Sequence, residues 1–131
     1  MSAVQKLFET ALTAQKAAYA PYSRFKVGAA ILADDGKVYA GCNVENGAYP
    51  EGTCAEAGAI AAMILGGASR IMEAVVVGDA ALCTPCGGCR QKLKEFAGAD
   101  VAVHVANLDG IRQSFTMAEL LPAGFVLEQK D

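Results

Sequence analysis

The chain has 131 residues, of which 53% are hydrophobic and 19% charged, and its formal net charge is −3. That length suits one domain and leaves little room for two, and the acidic balance argues against nucleic acid as a partner. The longest apolar run, Ala57 to Ala68, is broken by glycines and too short to cross a bilayer, so no membrane partner is expected. The mean hydropathy of +0.29 points to more apolar surface than a small monomer buries, and hence to an oligomer.

Val4, Leu7, Phe8, Ala11, Leu12, Gln15 and Ala18 recur at helical spacing, and Ser2 with Gln5 reads as a capping box opening that helix. Pro21 bounds it. Phe25 to Ala33 and Lys37 to Asn43 read as two strands of a hairpin around Asp34-Asp35-Gly36. A second helix is expected from Cys54 to about Leu65, stopped by Gly66-Gly67. Glu73 to Asp79 has the continuous apolar run of a strand buried on both faces. Thr84 as N-cap and Pro85 as first residue predict a third helix reaching Phe96 to Gly98. Val101 to Ala106 and Gly110 to Phe115 follow as strands, and Thr116 to Leu121 as a helical turn. No repeat or linker divides the chain, so residues 1–131 read as a single domain. The expected fold class is α/β, a three-layer α/β/α sandwich with a mixed five-stranded sheet.

Five cysteines without a leading secretory pattern do not suggest a disulfide framework, and a cytoplasmic location is expected. Cys86 and Cys89 form a C-x-x-C pair on the first turns of a helix, where spacing of three puts both sulfurs on one face. By itself that motif also serves redox dithiols and structural zinc knuckles. Cys54-Ala55-Glu56 opens another helix, and the positive helix ends favour thiolates at both places. Three thiolates would leave one position of a tetrahedral zinc open, as catalytic sites require. Glu56 lies near enough to touch a zinc-bound water and carry its proton. Thr53-x-x-Glu56 could instead be a capping box, and one carboxylate cannot fill both roles. Cys-x-Glu followed by Pro-Cys-x-x-Cys matches the signature of zinc-dependent base deaminases. Cys42 and Cys83 read as ordinary buried cysteines, His104 as a satisfied core histidine, and Arg90, Lys92 and Lys94 as a solvated helix face.

Five segments in order carry a more specific likeness: Tyr22 to Ala30, Gly41 to Asn46, Cys54-Ala55-Glu56, Pro85 to Gln91, and Glu119-Leu120-Leu121-Pro122. Through them nearly the whole chain resembles the small homotetrameric cytidine deaminases. The resemblance implies zinc on Cys54, Cys86 and Cys89, with Glu56 as proton shuttle in the conversion of cytidine and 2′-deoxycytidine to uridine and 2′-deoxyuridine. It implies that Asn43 and Glu45 hold the ribose hydroxyls, that Phe25 lies beside the pyrimidine, and that Ala55 contributes to the substrate site. Tyr49 and Phe125 match positions that reach a neighbouring subunit's pocket. The chain departs from the three-cysteine members at Ala57, where they usually carry arginine near the sulfurs; Arg90 is a candidate to compensate. Blasticidin-S deaminases also lack that arginine, so an aminopyrimidine nucleoside antibiotic is the alternative substrate.

Overall fold

The computed structural model describes residues Ser2 to Glu128. Helix α1 spans Ala3–Ala17, and the Ser2 hydroxyl accepts from the Gln5 N–H at 3.1 Å, the forward half of the expected box. The helix ends short of Pro21, where the Ala18 N–H turns back to the Gln15 carbonyl. Strands β1 (Val27–Ala33) and β2 (Val38–Cys42) form the hairpin. Helix α2 (Ala55–Leu65) is closed by Gly67 at φ +94°, with Gly67 N–H on Ile64 O and Ala68 N–H on Met63 O. This is the left-handed closure that Gly-Gly announced.

Strand β3 spans Ile71–Gly78, α3 Gly87–Phe96, β4 Ala97–Asn107, β5 Gly110–Thr116 and α4 Met117–Leu120. Several boundaries differ from expectation, β1 starting at Val27 and β3 spanning Ile71–Gly78 among them, and two of the differences have a clear cause. Strand β4 follows α3 without a loop and is longer than its apolar stretch, because pairing of Ala97 with Ile71 extends the ladder. The third helix starts at Gly87 with Cys86 as N-cap, not with Thr84. Pro85 stays outside it: the Pro85 carbonyl accepts from Arg90 Nε at 2.8 Å, and the first helical bond runs from Arg90 N–H to the Cys86 carbonyl. At the other end of the fold, Thr116 and Glu119 make both bonds of a capping box for α4.

The sheet order is β2-β1-β3-β4-β5, with β3 and β4 parallel and the other pairs antiparallel. On one face, Leu7, Phe8 and Ala11 of α1 pack on Ala30, Val75, Val77 and Ala106. On the other, Ala59, Ile60 and Met63 of α2, Leu93 of α3, and Met117 and Leu120 of α4 pack on Ile31, Val76 and Val103. The fold is therefore the expected three-layer sandwich around a mixed sheet.

Two glycines let helices lie directly on the hairpin. A Cβ at Gly28 would stand 2.1 Å from the Ala11 carbonyl oxygen, and one at Gly41 would stand 2.3 Å from Ala59 N. Both obstacles are backbone, which cannot rotate away. Gly28→Ala or Gly41→Ala should therefore destabilise the protein by about 3 kcal/mol or more, at the upper end for overpacking. Thermal or urea denaturation checks this, and a loss under 1 kcal/mol would mean that the helices shift freely.

Candidate active site

The end of β2 and the starts of α2 and α3 build the site. Beyond Cys42 the chain stays extended, and Val44 and Thr53 exchange two backbone hydrogen bonds of 3.0 and 2.9 Å. This zip sets Cys54 beside the segment carrying Asn43 and Glu45. Cys54 is the extended N-cap of α2 and Cys86 that of α3, and neither side chain is spent on capping. Cys89 follows three residues later, one turn into α3. Since α2 and α3 lie on the same face of the sheet, their N-termini bring the Cys54, Cys86 and Cys89 sulfurs within 4.8 Å of one another.

The three thiols have different surroundings. Cys86 is exposed and its thiol is lowered, chiefly by the Cys89 backbone N–H at the helix start. Cys89 is buried, and desolvation followed by the Glu56 charge pushes its thiol up. A buried thiol facing a carboxylate ionises readily only with a cation beside it. The donor set, three soft sulfurs at two positive helix ends, therefore suits a thiophilic dication such as zinc.

Glu56 is in the first turn of α2 and only 4% exposed. Burial, the largest influence, raises its pKa above the ordinary glutamate value. The capping alternative is set aside by the position of the cap: Cys54, not Thr53, occupies it. Glu56 lines a cavity of about 320 Å³ with all three cysteines, Ala55, Asn43, Glu45 and Tyr49. A neighbouring cavity of about 360 Å³, lined by Tyr22, Ser23, Glu45, Asn46, Tyr49 and Gly52, shares two of those side chains.

Asn43 and Glu45 are engaged by their own chain. Asn43 Oδ1 accepts from Val27 N–H at 2.8 Å while its Nδ2 donates to the Phe25 carbonyl at 2.9 Å. Glu45 Oε1 accepts from the Tyr22 and Ser23 N–H groups at 2.9 and 3.1 Å, and Oε2 from the Ser23 hydroxyl. The Ser23 hydroxyl first, then the backbone donors, hold the Glu45 carboxyl below the ordinary glutamate value. A carboxylate lowered by folding stabilises at pH above its unfolded value and loses that contribution as the pH falls through its folded one. Acidification below the ordinary glutamate range should therefore loosen residues 22–23. Amide exchange of Tyr22 and Ser23, corrected for intrinsic pH dependence, should report this in the wild type and not in Glu45→Ala, already loose at neutral pH.

The remaining candidates divide between this cavity and its surroundings. Ala55 is fully buried in the cavity wall. Phe25 is half-buried and lines neither cavity; its ring lies just behind the wall, its Cζ 3.2 Å and the cavity-lining Cys83 Sγ 3.1 Å from where a Gly78 Cβ would stand. Tyr49 is 76% exposed on a short 3-10 turn, edge-on to Tyr22 at 6.0 Å between ring centroids, and lines both cavities of its own chain. Phe125 is not among the lining residues; its backbone is held at both ends by the Gln91 amide and its ring is 66% exposed.

Cys83, read as an ordinary core cysteine, lines the cavity beside Pro85 and is only half-buried. Its place just before Pro85-Cys86 was the available signal. Cys42 is also half-buried. Arg90 is not on a solvated face: besides Pro85 its guanidinium reaches the Leu120 carbonyl at 3.0 Å, tying α4 to the turn that precedes Cys86. His104 is satisfied as expected, by Ser114 Oγ and Glu73 Oε2, each at 2.6 Å.

Three thiols and one buried carboxylate, gathered at two helix ends below a cavity, define the class of zinc-dependent base deaminases. Residues 1–105 match the family model described as the cytidine and deoxycytidylate deaminase zinc-binding region, and the chain belongs to that family. It is 42% identical over 126 residues to a cytidine deaminase of Sporosarcina psychrophila, covering 95% of this chain and 93% of the relative. Identity to a cytidine deaminase of Mycobacterium tuberculosis is 41% over 119 residues, or 90% of this chain and 86% of that one. The crystal structure of a cytidine deaminase from Burkholderia pseudomallei superposes with a TM-score of 0.87 at 39% identity, covering 95% of this chain and all of that one.

Proposed function

We propose that this chain is a single catalytic domain that hydrolyses cytidine and 2′-deoxycytidine to uridine and 2′-deoxyuridine, releasing ammonia. The observation that carries the reading is the buried Glu56 in one cavity with Cys54, Cys86 and Cys89. Relatives that bear the name cytidine deaminase along nearly their whole length support the substrate.

Cys54, Cys86 and Cys89 would hold zinc, which when bound supplies Lewis-acid activation that brings a water within reach of deprotonation near neutral pH. Glu56 takes a proton from the attacking water and delivers it to the pyrimidine N3 as oxygen bonds to C4. It then carries the second proton to the exocyclic amine, whose C4–N bond breaks to release ammonia. Burial suits Glu56 to this shuttle, since a carboxylate with a raised pKa gives a proton back more readily. Asn43 retains a second amide hydrogen and Glu45 spare lone pairs for the sugar hydroxyls. Phe25 provides an apolar face for the base.

Ultraviolet-monitored turnover of cytidine, 2′-deoxycytidine and blasticidin S tests this. Loss of cytidine absorbance by wild type and not by Glu56→Ala supports the reading, and turnover of blasticidin S alone overturns the substrate. The enzyme is further proposed to act in the cytoplasm, where reduced thiols are kept, and to assemble as a homotetramer through Tyr49 and Phe125. Exposed Val126 and Leu127 beside Phe125 support that assembly, which sedimentation equilibrium would measure. No helix among the described residues is long and apolar enough to cross a membrane.

A further inference from the structure

Arg24 has φ +62°, the only non-glycine residue among those described in the left-handed region. Side chains rarely adopt that conformation, and it persists where the flanking chain is held on both sides. Here the flanks are held by a chain of hydrogen bonds with one hydroxyl at its centre. Ser23 Oγ donates to Glu45 Oε2 and accepts from the Phe25 N–H at 3.0 Å. The Arg24 N–H itself returns to the Ala20 carbonyl at 3.0 Å. Beyond Phe25, the Asn43 amide takes over at the Phe25 carbonyl and the Val27 N–H.

We propose that Ser23 is a positioning residue whose hydroxyl couples the Glu45 carboxylate to the backbone of Phe25. Glu45 lies on the sugar side of the proposed substrate and Phe25 on the base side, so this assignment rests on the cytidine reading given above. One hydroxyl then ties a carboxylate on the cavity wall to the backbone of the aromatic residue just behind it. It holds Oε2 against a fixed donor, and it anchors the backbone that follows the strained Arg24. Glu45 already takes two further donors from the same loop, so loss of the hydroxyl removes the link between carboxylate and aromatic without emptying the carboxylate.

Ser23→Ala should raise the KM for cytidine about 10-fold while changing kcat less than about 3-fold, as loss of one charge-assisted positioning bond predicts. Zinc content should stay at the wild-type value. Exchange of the Phe25 amide hydrogen should quicken in the same variant, and Ser23→Thr, which restores a hydroxyl, should return both readings toward wild type. Because Ser23 works through Glu45, Ser23→Ala should raise KM less in a Glu45→Ala background than it does alone. If Ser23→Ala does not fold, Ser23→Cys replaces it in every comparison. An unchanged KM, additive effects in the double variant, or an unaltered Phe25 exchange rate would overturn the assignment. Should the wild type fail to turn over cytidine, the substrate reading falls, and the Phe25 exchange rate still decides the coupling.

Discussion

Glu56→Gln should lower kcat for cytidine by about 10³-fold or more, within the range that positioned acid–base groups contribute. Glutamine keeps the size and the hydrogen-bonding shape of the side chain but has no carboxylate to accept a proton from water or return one to nitrogen. The same change should leave the fold intact and raise its stability. Glu56 is buried, and its raised pKa means that folding disfavours its charged form. A neutral isostere removes that penalty, the usual exchange of stability for activity at a catalytic group. Zinc content should also be preserved, because the substitution relieves the Glu56 charge that opposes ionisation of Cys89. The measurements are kcat at saturating cytidine, zinc per chain and Tm. A kcat within 10-fold of wild type would remove Glu56 from the reaction.

Cys89→Ala should lower zinc affinity by more than about 100-fold, since even partners outside the ligand shell contribute 10 to 100-fold. Cys89 is buried and within 4.8 Å of both other sulfurs, so its loss leaves Cys54 and Cys86 without the third member of the group. Deamination should fall in proportion to the zinc retained. Cys83→Ala and Cys42→Ala should both keep one zinc per chain, because neither belongs to the three-sulfur group. Stripping zinc from the wild type with a chelator should lower Tm, and free zinc at about 1,000 times its dissociation constant should restore about 4 kcal/mol. Equal zinc loss in Cys83→Ala and Cys89→Ala would show that the wrong sulfurs have been assigned.

The departure at Ala57 sharpens the charge question around those sulfurs. Arg90, the candidate to compensate, has its guanidinium hydrogen-bonded to two backbone carbonyls, one of them on the residue before Cys86. It braces the turn that carries the ligand. Positive charge at the thiols then comes from the ends of α2 and α3 and the backbone N–H groups on Cys86, with the Lys92 ammonium close by on α3 and acting on Glu56.

Features encoded within a few residues were readable from the chain. Val4 to Ala18 showed a helix, Asp34-Asp35-Gly36 a turn, Val75-Val76-Val77 a buried strand, and Cys86 with Cys89 a one-face pair, since each follows from backbone periodicity or turn chemistry alone. The misplaced start of α3 has a physical cause. Pro85 is well suited to a first helical position, but its carbonyl is captured by Arg90 from the helix itself. Glu56 was visible as a carboxylate near a ligand, while its burial and its freedom from capping depended on which residue became the N-cap.

Composition and motif spacing thus announced the α/β sandwich and the sulfurs and carboxylate of the proposed chemistry. Folding alone supplied the meeting of Cys54 with Cys86 and Cys89, which are separated along the chain and joined only because α2 and α3 share one face of the sheet. It also supplied the Glu45–Ser23 and Asn43–Phe25 bonds, the cavity wall at Cys83, and the bond from Arg90 to the Leu120 carbonyl. Contacts within one helical turn depend on bond geometry that every chain shares. Contacts across twenty or thirty residues depend on strand order and helix packing, which local sequence does not encode.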